Sequence, residues 1–217
     1  MDELTVKIAA IKIGTFVLGP GYRMAIWVQG CPFSCKGCIS PEWIRPGGIE
    51  ISTTQLVDIA MRDEKIEGIT LSGGEPMLQA IGLSYFLRKI KQLRPHLNII
   101  CFTGYKLDYL LRNPPNNGVK SILDEIDLLI DGPYIEKKNN NLGLRGSSNQ
   151  KFHFLSEKLK NFDFENIPRK VEIEIQNGFS FIVGIPTREF HKTWNEAISK
   201  ARKELSYERS QTNNSKS

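Results

Sequence analysis

Three of the four cysteines in this 217-residue chain lie in the run Gly30-Cys31-Pro32-Phe33-Ser34-Cys35-Lys36-Gly37-Cys38, a C-x3-C-x2-C loop. Thiolates so spaced can hold three irons of a four-iron cube from one compact loop, leaving the last iron open to a ligand that is not protein. An open iron implies chemistry rather than passive electron storage. A structural zinc site would want four closed ligands, usually as two separated pairs, and the chain has no second C-x2-C or H-x3-5-H. Cys101 could in principle complete the set, but it sits in the apolar run Leu97 to Phe102, where a cysteine is more often a small buried hydrophobe. A disulfide framework fits less well: the chain is long, begins with Asp2 and Glu3 where a secretory segment would be basic, and holds its thiols too close together to staple distant segments. Ligand spacing thus favours a 4Fe-4S cluster on Cys31, Cys35 and Cys38 over zinc or redox thiols.

The elements that must position this loop follow from periodicity. Thr5 to Ile13 reads as a strand, followed by the turn Gly19-Pro20-Gly21 and a second strand, Met24 to Val28, that runs into the cysteine loop. Ser52 or Thr53 can cap a helix to about Asp63, and Gly68 to Leu71 is a short buried strand ending in Ser72-Gly73-Gly74-Glu75-Pro76. A long helix from Met77 to about Arg94 carries Leu83, Phe86, Leu87, Ile90 and Leu93 on one stripe. The pattern repeats with strand Asn98 to Phe102, turn Thr103-Gly104, helical segments Lys106 to Leu111 and Val119 to Glu125, and strand Asp127 to Ile130. Strands alternating with helices predict parallel βαβ units, whose ligand sites lie at the carboxyl ends of the strands. The cysteine loop, Gly73-Gly74-Glu75-Pro76 and Thr103-Gly104-Tyr105 all follow strands and so predict one rim. After Leu155, residues 156–207 read as an extension: a charged irregular stretch, a hairpin of Val171 to Ile175 and Gly178 to Val183 about the tight turn Gln176-Asn177-Gly178, and a helix from about Thr187 to Tyr207. The tail 208–217 is too polar to fold alone.

Composition bounds the rest. Hydrophobic content of 40% and charged content of 24% are those of a soluble globular protein, and no apolar stretch approaches a membrane span. The expected compartment is the reducing cytoplasm, with no membrane association. A net charge of +5 is mildly basic, but the cations are interleaved with Asp and Glu, so nucleic acid is not expected as a partner.

The cysteine loop with a downstream Gly-Gly-Glu-Pro resembles the radical S-adenosylmethionine superfamily. More narrowly, Gly19-Pro20-Gly21-Tyr22-Arg23, Val28-Gln29-Gly30-Cys31-Pro32, Leu71-Ser72-Gly73-Gly74-Glu75-Pro76, Thr103-Gly104-Tyr105-Lys106-Leu107-Asp108, Leu129-Ile130-Asp131-Gly132 and Arg145-Gly146-Ser147-Ser148-Asn149-Gln150 resemble the activating proteins of anaerobic ribonucleoside-triphosphate reductase, in order from Ile8 to Leu155. Gly37, immediately before the third cysteine, follows the activators rather than the many relatives with an aromatic there. The segment from Ser156 onward extends beyond the compact activators.

The resemblance implies an α/β fold, a partial (β/α) barrel of parallel strands forming a core over 1–155 with the hairpin and helix appended. It implies that Cys31, Cys35 and Cys38 ligate a 4Fe-4S cluster whose open iron chelates S-adenosylmethionine. Gly37, Cys38 and Ile39 would lie against that cofactor, and Gly73, Gly74 and Glu75 would receive its methionine end; glycine admits close backbone approach, and a carboxylate suits an ammonium group. Gly73 to Pro76 also reads as a plain strand-to-helix turn. Thr103-Gly104-Tyr105 and Asp131-Gly132 could shape the pocket or simply cap and turn. Arg145 to Gln150 could grip a partner or only satisfy its own hydrogen bonds. Trp43 and Tyr105 could pack on the cofactor or belong to the core. His96, His153 and His191 form no ligand spacing. The implied reaction is reductive cleavage of S-adenosylmethionine and formation of a glycyl radical on a partner enzyme, most closely anaerobic ribonucleotide reductase, with flavodoxin or ferredoxin as electron donor. A radical enzyme acting on a small molecule or peptide, and a non-enzymatic zinc or cluster module, are the competing expectations.

Overall fold

The computed structural model describes residues 3–176 and 179–214. A seven-stranded sheet has the order β3-β1-β2-β4-β5-β6-β7, with β1 Thr5–Thr15, β2 Arg23–Val28, β3 Ile49–Ser52, β4 Gly68–Gly73, β5 Asn98–Thr103, β6 Leu128–Asp131 and β7 Lys151–Phe154. Strands β2, β4, β5 and β6 pair in parallel, while β1, β3 and β7 pair antiparallel at the two sides. The mixed α/β class and the parallel core match expectation; the antiparallel edges do not. Short β3 and β7 have no clear sequence period and take their register from neighbours already in place.

The parallel strands are joined by helices, as chain geometry requires of parallel neighbours. Helix α1, Thr53–Met61, begins in a capping box: Ser52 Oγ accepts from Gln55 N at 3.2 Å, and Gln55 Oε1 accepts from Ser52 N at 3.1 Å. Helix α2, Ala80–Leu93, follows a 3-10 turn at Pro76–Gln79 and buries Leu83, Phe86, Leu87 and Ile90, whereas Leu93 is exposed. Helices α3, Leu107–Arg112, and α4, Val119–Leu123, complete the crossover from β5 to β6. These helices cover one sheet face, where Met24, Ile26, Val28, Ile69, Leu71, Ile99, Cys101 and Leu129 form the main core. Burial on both faces explains the unbroken apolar run from Met24 to Val28 in β2.

The alternate residues face the other way. Ile100, Leu128 and Ile130 are covered by Leu144, Leu159 and Phe164, and Ala25 and Trp27 by Val183, with Phe181 packed alongside. The hairpin of β8 Val171–Gln176 and β9 Phe179–Gly184 therefore belongs to the first compact unit, which ends at Ile185. The segment after β7 closes a sheet face within this unit. The Asn177-Gly178 turn lies outside the described residues. The second unit, 186–217, consists of α5, Arg188–Asn214, longer than the helix expected to end at Tyr207. Glu208, Arg209 and Gln211 are adequate helix formers with no Gly or Pro to stop propagation, so the helix continues into the segment expected to be disordered. Within it Phe190 and Trp194 stack at 6.1 Å. Among the described residues no helix is long and apolar enough to cross a membrane.

Candidate iron-sulfur site

The cysteine loop leaves the carboxyl end of β2 and is closed at its base by two backbone bonds, Gly30 N to Trp43 O and Cys31 N to Ile44 O, each 2.9 Å. Gln29 Nε2 holds the return from below, donating to Arg45 O at 2.7 Å and Glu42 O at 3.2 Å. Inside the loop Cys38 N donates to Cys35 O at 3.1 Å, a tight turn between the second and third thiols. Gly37 sits at φ +75°, a conformation that favours glycine, and an added Cβ would lie 3.3 Å from Glu136 Oε1 and 3.4 Å from Tyr134 Cε1. All three cysteines are unpaired and partly exposed, while Cys101 is buried in the core.

Burial pushes the Cys31 thiol up to about 11, with Glu75, Cys35 and Cys38 adding to the effect; burial raises Cys38 too, with Cys35 contributing. Thiols that repel one another's ionisation in this way are unfavourable as free thiolates and are stabilised by a bound cation that replaces their protons. The donor set is three soft thiols, which fits an iron-sulfur cluster. Among the described residues no three His, Cys, Asp or Glu side chains converge as they would on one metal ion.

The Gly-Gly-Glu-Pro run abuts this loop. Gly74 N donates to Val28 O at 2.7 Å and Glu75 N to Gly30 O at 2.8 Å, so the turn after β4 is knitted to the base of the cysteine loop. Gly73 has φ +102°, and a Cβ on it would lie 2.5 Å from Val28 N; one on Gly74 would collide with the Gly30 carbonyl group. Glycine is therefore required at both positions. Gly73 and Gly74 remain partly exposed, whereas Glu75 is 1% exposed. Its Oε1 accepts from Met77 N at 2.9 Å and Thr103 Oγ1 at 2.8 Å, and its Oε2 from Gly104 N at 2.8 Å. The Glu75 carboxylate thus straps the end of β4 to the end of β5, and the partly exposed residues of this turn are its two glycines. Burial raises Glu75 to about 7 despite these three donors.

The other expected residues fall on or near the rim. Thr103 and Gly104 hold Glu75, and Tyr105 packs edge-on against Phe33 at 4.9 Å and stacks on Tyr109 at 5.5 Å. Asp131 Oδ2 accepts from Leu107 N at 2.7 Å, capping α3, and lies 2.8 Å from His153 Nε2. The run from Arg145 to Gln150 is bonded within itself and to the segment before it: Gln150 Oε1 accepts from Gly146 N and Ser147 N, Gln150 Nε2 donates to Gly132 O, and Asn149 Nδ2 donates to Pro133 O. Arg145 lies over the Phe152 ring. Ile39 is exposed beside the third cysteine, and Trp43 packs on Trp27 at 5.9 Å. Phe33, His153 and Phe181 were not singled out by residue pattern. Phe33 alone carried a signal, since an aromatic between two ligands has little reason to be there unless it docks.

The 4Fe-4S single cluster domain family matches residues 17–153. The anaerobic ribonucleoside-triphosphate reductase-activating protein of Haemophilus influenzae is 35% identical over 144 residues, 62% of this chain and 89% of that protein. Those of Escherichia coli K12 and Vibrio cholerae are each 34% identical, over 148 and 146 residues, covering 64% and 63% of this chain and 92% and 90% of theirs. This chain belongs to the family of anaerobic ribonucleoside-triphosphate reductase-activating proteins. As a member of that family it carries the 4Fe-4S single cluster domain across the sheet and rim just described, and the matched span 17–153 contains all three loop cysteines and the Gly-Gly-Glu-Pro turn.

Proposed function

We propose that this activating protein holds a 4Fe-4S cluster on Cys31, Cys35 and Cys38, binds S-adenosylmethionine at the open iron, and generates a glycyl radical on a partner enzyme of the anaerobic ribonucleotide reductase type. The reading includes a sheet curved as a partial barrel and a low-potential donor, flavodoxin or ferredoxin. The observation that carries it is the knitting of the cysteine loop to the Gly73-Gly74 turn through Gly74 N to Val28 O and Glu75 N to Gly30 O, which sets cluster ligands and open backbone side by side on one rim. Held by Cys31, Cys35 and Cys38, the cluster would supply the one-electron reduction that cleaves S-adenosylmethionine, the chemistry needed to remove a hydrogen atom from a glycine Cα.

The chain's own part is placement. Gly37, Cys38 and Ile39 would lie along the cofactor on one side, and Gly73, Gly74 and Glu75 would receive its methionine end. Glu75 keeps the two strand ends at fixed separation from inside the protein. Phe33, seated on Gly104 and Tyr105, holds the loop down against the end of β5. No acid-base pair is needed, because the hydrogen moves as an atom.

The test is anaerobic reconstitution with iron and sulfide, then addition of S-adenosylmethionine and reductant with and without a candidate reductase. The expected result is 5′-deoxyadenosine in both arms and a glycyl radical spectrum only with the partner. Absence of 5′-deoxyadenosine under every reducing condition refutes the reading.

A further inference from the structure

We propose that the C-terminal hairpin braces the cysteine loop and that Phe181 is the positioning residue through which it does so. The proposal rests on the cluster reading above. The loop returns through the 3-10 turn Pro41–Trp43, which buries none of its residues, so the turn lacks a core of its own. Besides the Gln29 bonds to Glu42 O and Arg45 O, the side-chain contact that fixes it is the Trp43 ring, held between Trp27 at 5.9 Å and Phe181 at 6.3 Å, while Phe181 meets Trp27 edge-on at 5.3 Å and 90°. Trp43 O in turn accepts from Gly30 N, and the next carbonyl, Ile44 O, accepts from Cys31 N. Phe181 therefore acts on the first ligand through one ring and one pair of backbone bonds.

A brace must itself be anchored, and this one is. Glu172 Oε1 accepts from Phe16 N at 3.0 Å, Glu174 pairs with Lys12, and Val183 is fully buried. Gly184, at φ +116°, closes the hairpin base tightly: an added Cβ would lie 2.4 Å from Lys170 O and 3.2 Å from Val17 Cγ2, in the segment that follows β1. The relatives named above leave about a tenth of their own length outside the match, whereas this chain leaves more than a third of its own. They lack the length for a counterpart of the whole segment after residue 153.

The experiment measures loop opening in cluster-free, reduced protein, by alkylation of each cysteine with iodoacetamide and peptide mass spectrometry. Phe181→Ala and the milder Phe181→Leu should speed alkylation of Cys31 and Cys38 by about three- to tenfold, the opening expected when an aromatic pair contact is lost, with buried Cys101 unchanged. Phe181→Tyr should restore wild-type rates, and Ile175→Ala, on the 76% exposed position of β8, should leave them alone. After reconstitution, the leucine variant should lose its cluster absorbance in air faster by a similar factor. Wild-type alkylation rates in both variants would overturn the proposal. So would Cys101 reacting in step with the loop cysteines, because Phe181 would then support the whole fold and not the loop. A wild-type protein that takes up no iron and sulfide would instead refute the cluster reading, and the alkylation result would still decide the brace.

Discussion

Replacing Glu75 by glutamine should remove a pH dependence that the wild-type protein shows between pH 4.5 and 7. Burial lifts this carboxyl from an ordinary 4.5 to about 7 in the folded state. Between those values the folded protein keeps a proton that the unfolded chain has released, so stability is fully present below pH 4.5, falls as pH rises, and levels off above 7. At about 1.4 kcal/mol per pH unit the loss sums to about 3 kcal/mol. The side chain is 1% exposed, so solvent screening takes little from that figure. In Glu75→Gln the amide oxygen can still accept from Met77 N and the Thr103 hydroxyl, but the amide nitrogen faces Gly104 N, donor against donor, costing roughly 1–3 kcal/mol. The variant should be the weaker protein at pH 5, and the gap should shrink by about 3 kcal/mol by pH 8, bringing the two together or reversing their order. Urea unfolding of the cluster-free proteins at pH 5, 6, 7 and 8, plotted as wild type minus variant, measures it. A difference that stays constant or widens with pH would refute the strap.

Serine at Cys31, Cys35 or Cys38 should abolish iron and sulfide uptake, measured by metal and acid-labile sulfide analysis, whereas Cys101→Ser should keep full uptake and lose about 1–3 kcal/mol of stability from a hydroxyl placed in an apolar core. Gly74→Ala should prevent the β4 turn from docking on Gly30, seen as loss of cluster uptake with the far-ultraviolet spectrum retained. Arg23 is buried and donates to Pro20 O, Ile69 O, Thr70 Oγ1 and Asn98 Oδ1, with its basicity lowered by burial to about 9; Arg23→Met should cost about 3–5 kcal/mol in urea unfolding by leaving those acceptors unmatched.

The cluster loop and the parallel core were legible because their signals are local. Thiol spacing is read within eight residues, and β2, β4, β5 and β6 announce themselves as apolar runs that end in glycine-bearing turns. The direction of the Glu75 side chain was not legible. A carboxylate beside two glycines on a ligand rim suggests an outward role, and only the placement of Thr103 and Gly104 on the next strand shows that its oxygens are taken. Strands β3 and β7 escaped for the same reason, since their pairing is decided by β1 and β6 rather than by their own four residues.

The hairpin shows how far such non-local decisions reach. Strand β8 alternates Val171, Ile173 and Ile175 with Glu172 and Glu174, and alternation alone would turn the apolar set inward. Yet Ile173 and Ile175 are 45% and 76% exposed, while the register sets Glu172 beside Val183 and Glu174 beside Phe181, on the face that meets the sheet. Strand β9 must deliver Phe181 to Trp27 and Val183 to the sheet core, and a two-stranded ribbon cannot bury both strands' apolar faces when their registers oppose. The glutamates inherit the inward side, tolerated because β1 supplies the Lys12 ammonium and Phe16, the residue just after it, supplies the N–H, which together satisfy them. Lys12→Met should therefore weaken the hairpin even though it adds an apolar side chain, because Glu174 would be left facing the sheet without its cation. Faster alkylation of Cys31 in Lys12→Met, as in Phe181→Leu, would connect the ion pair to the loop; an unchanged rate would show that the aromatic contacts hold the loop without it.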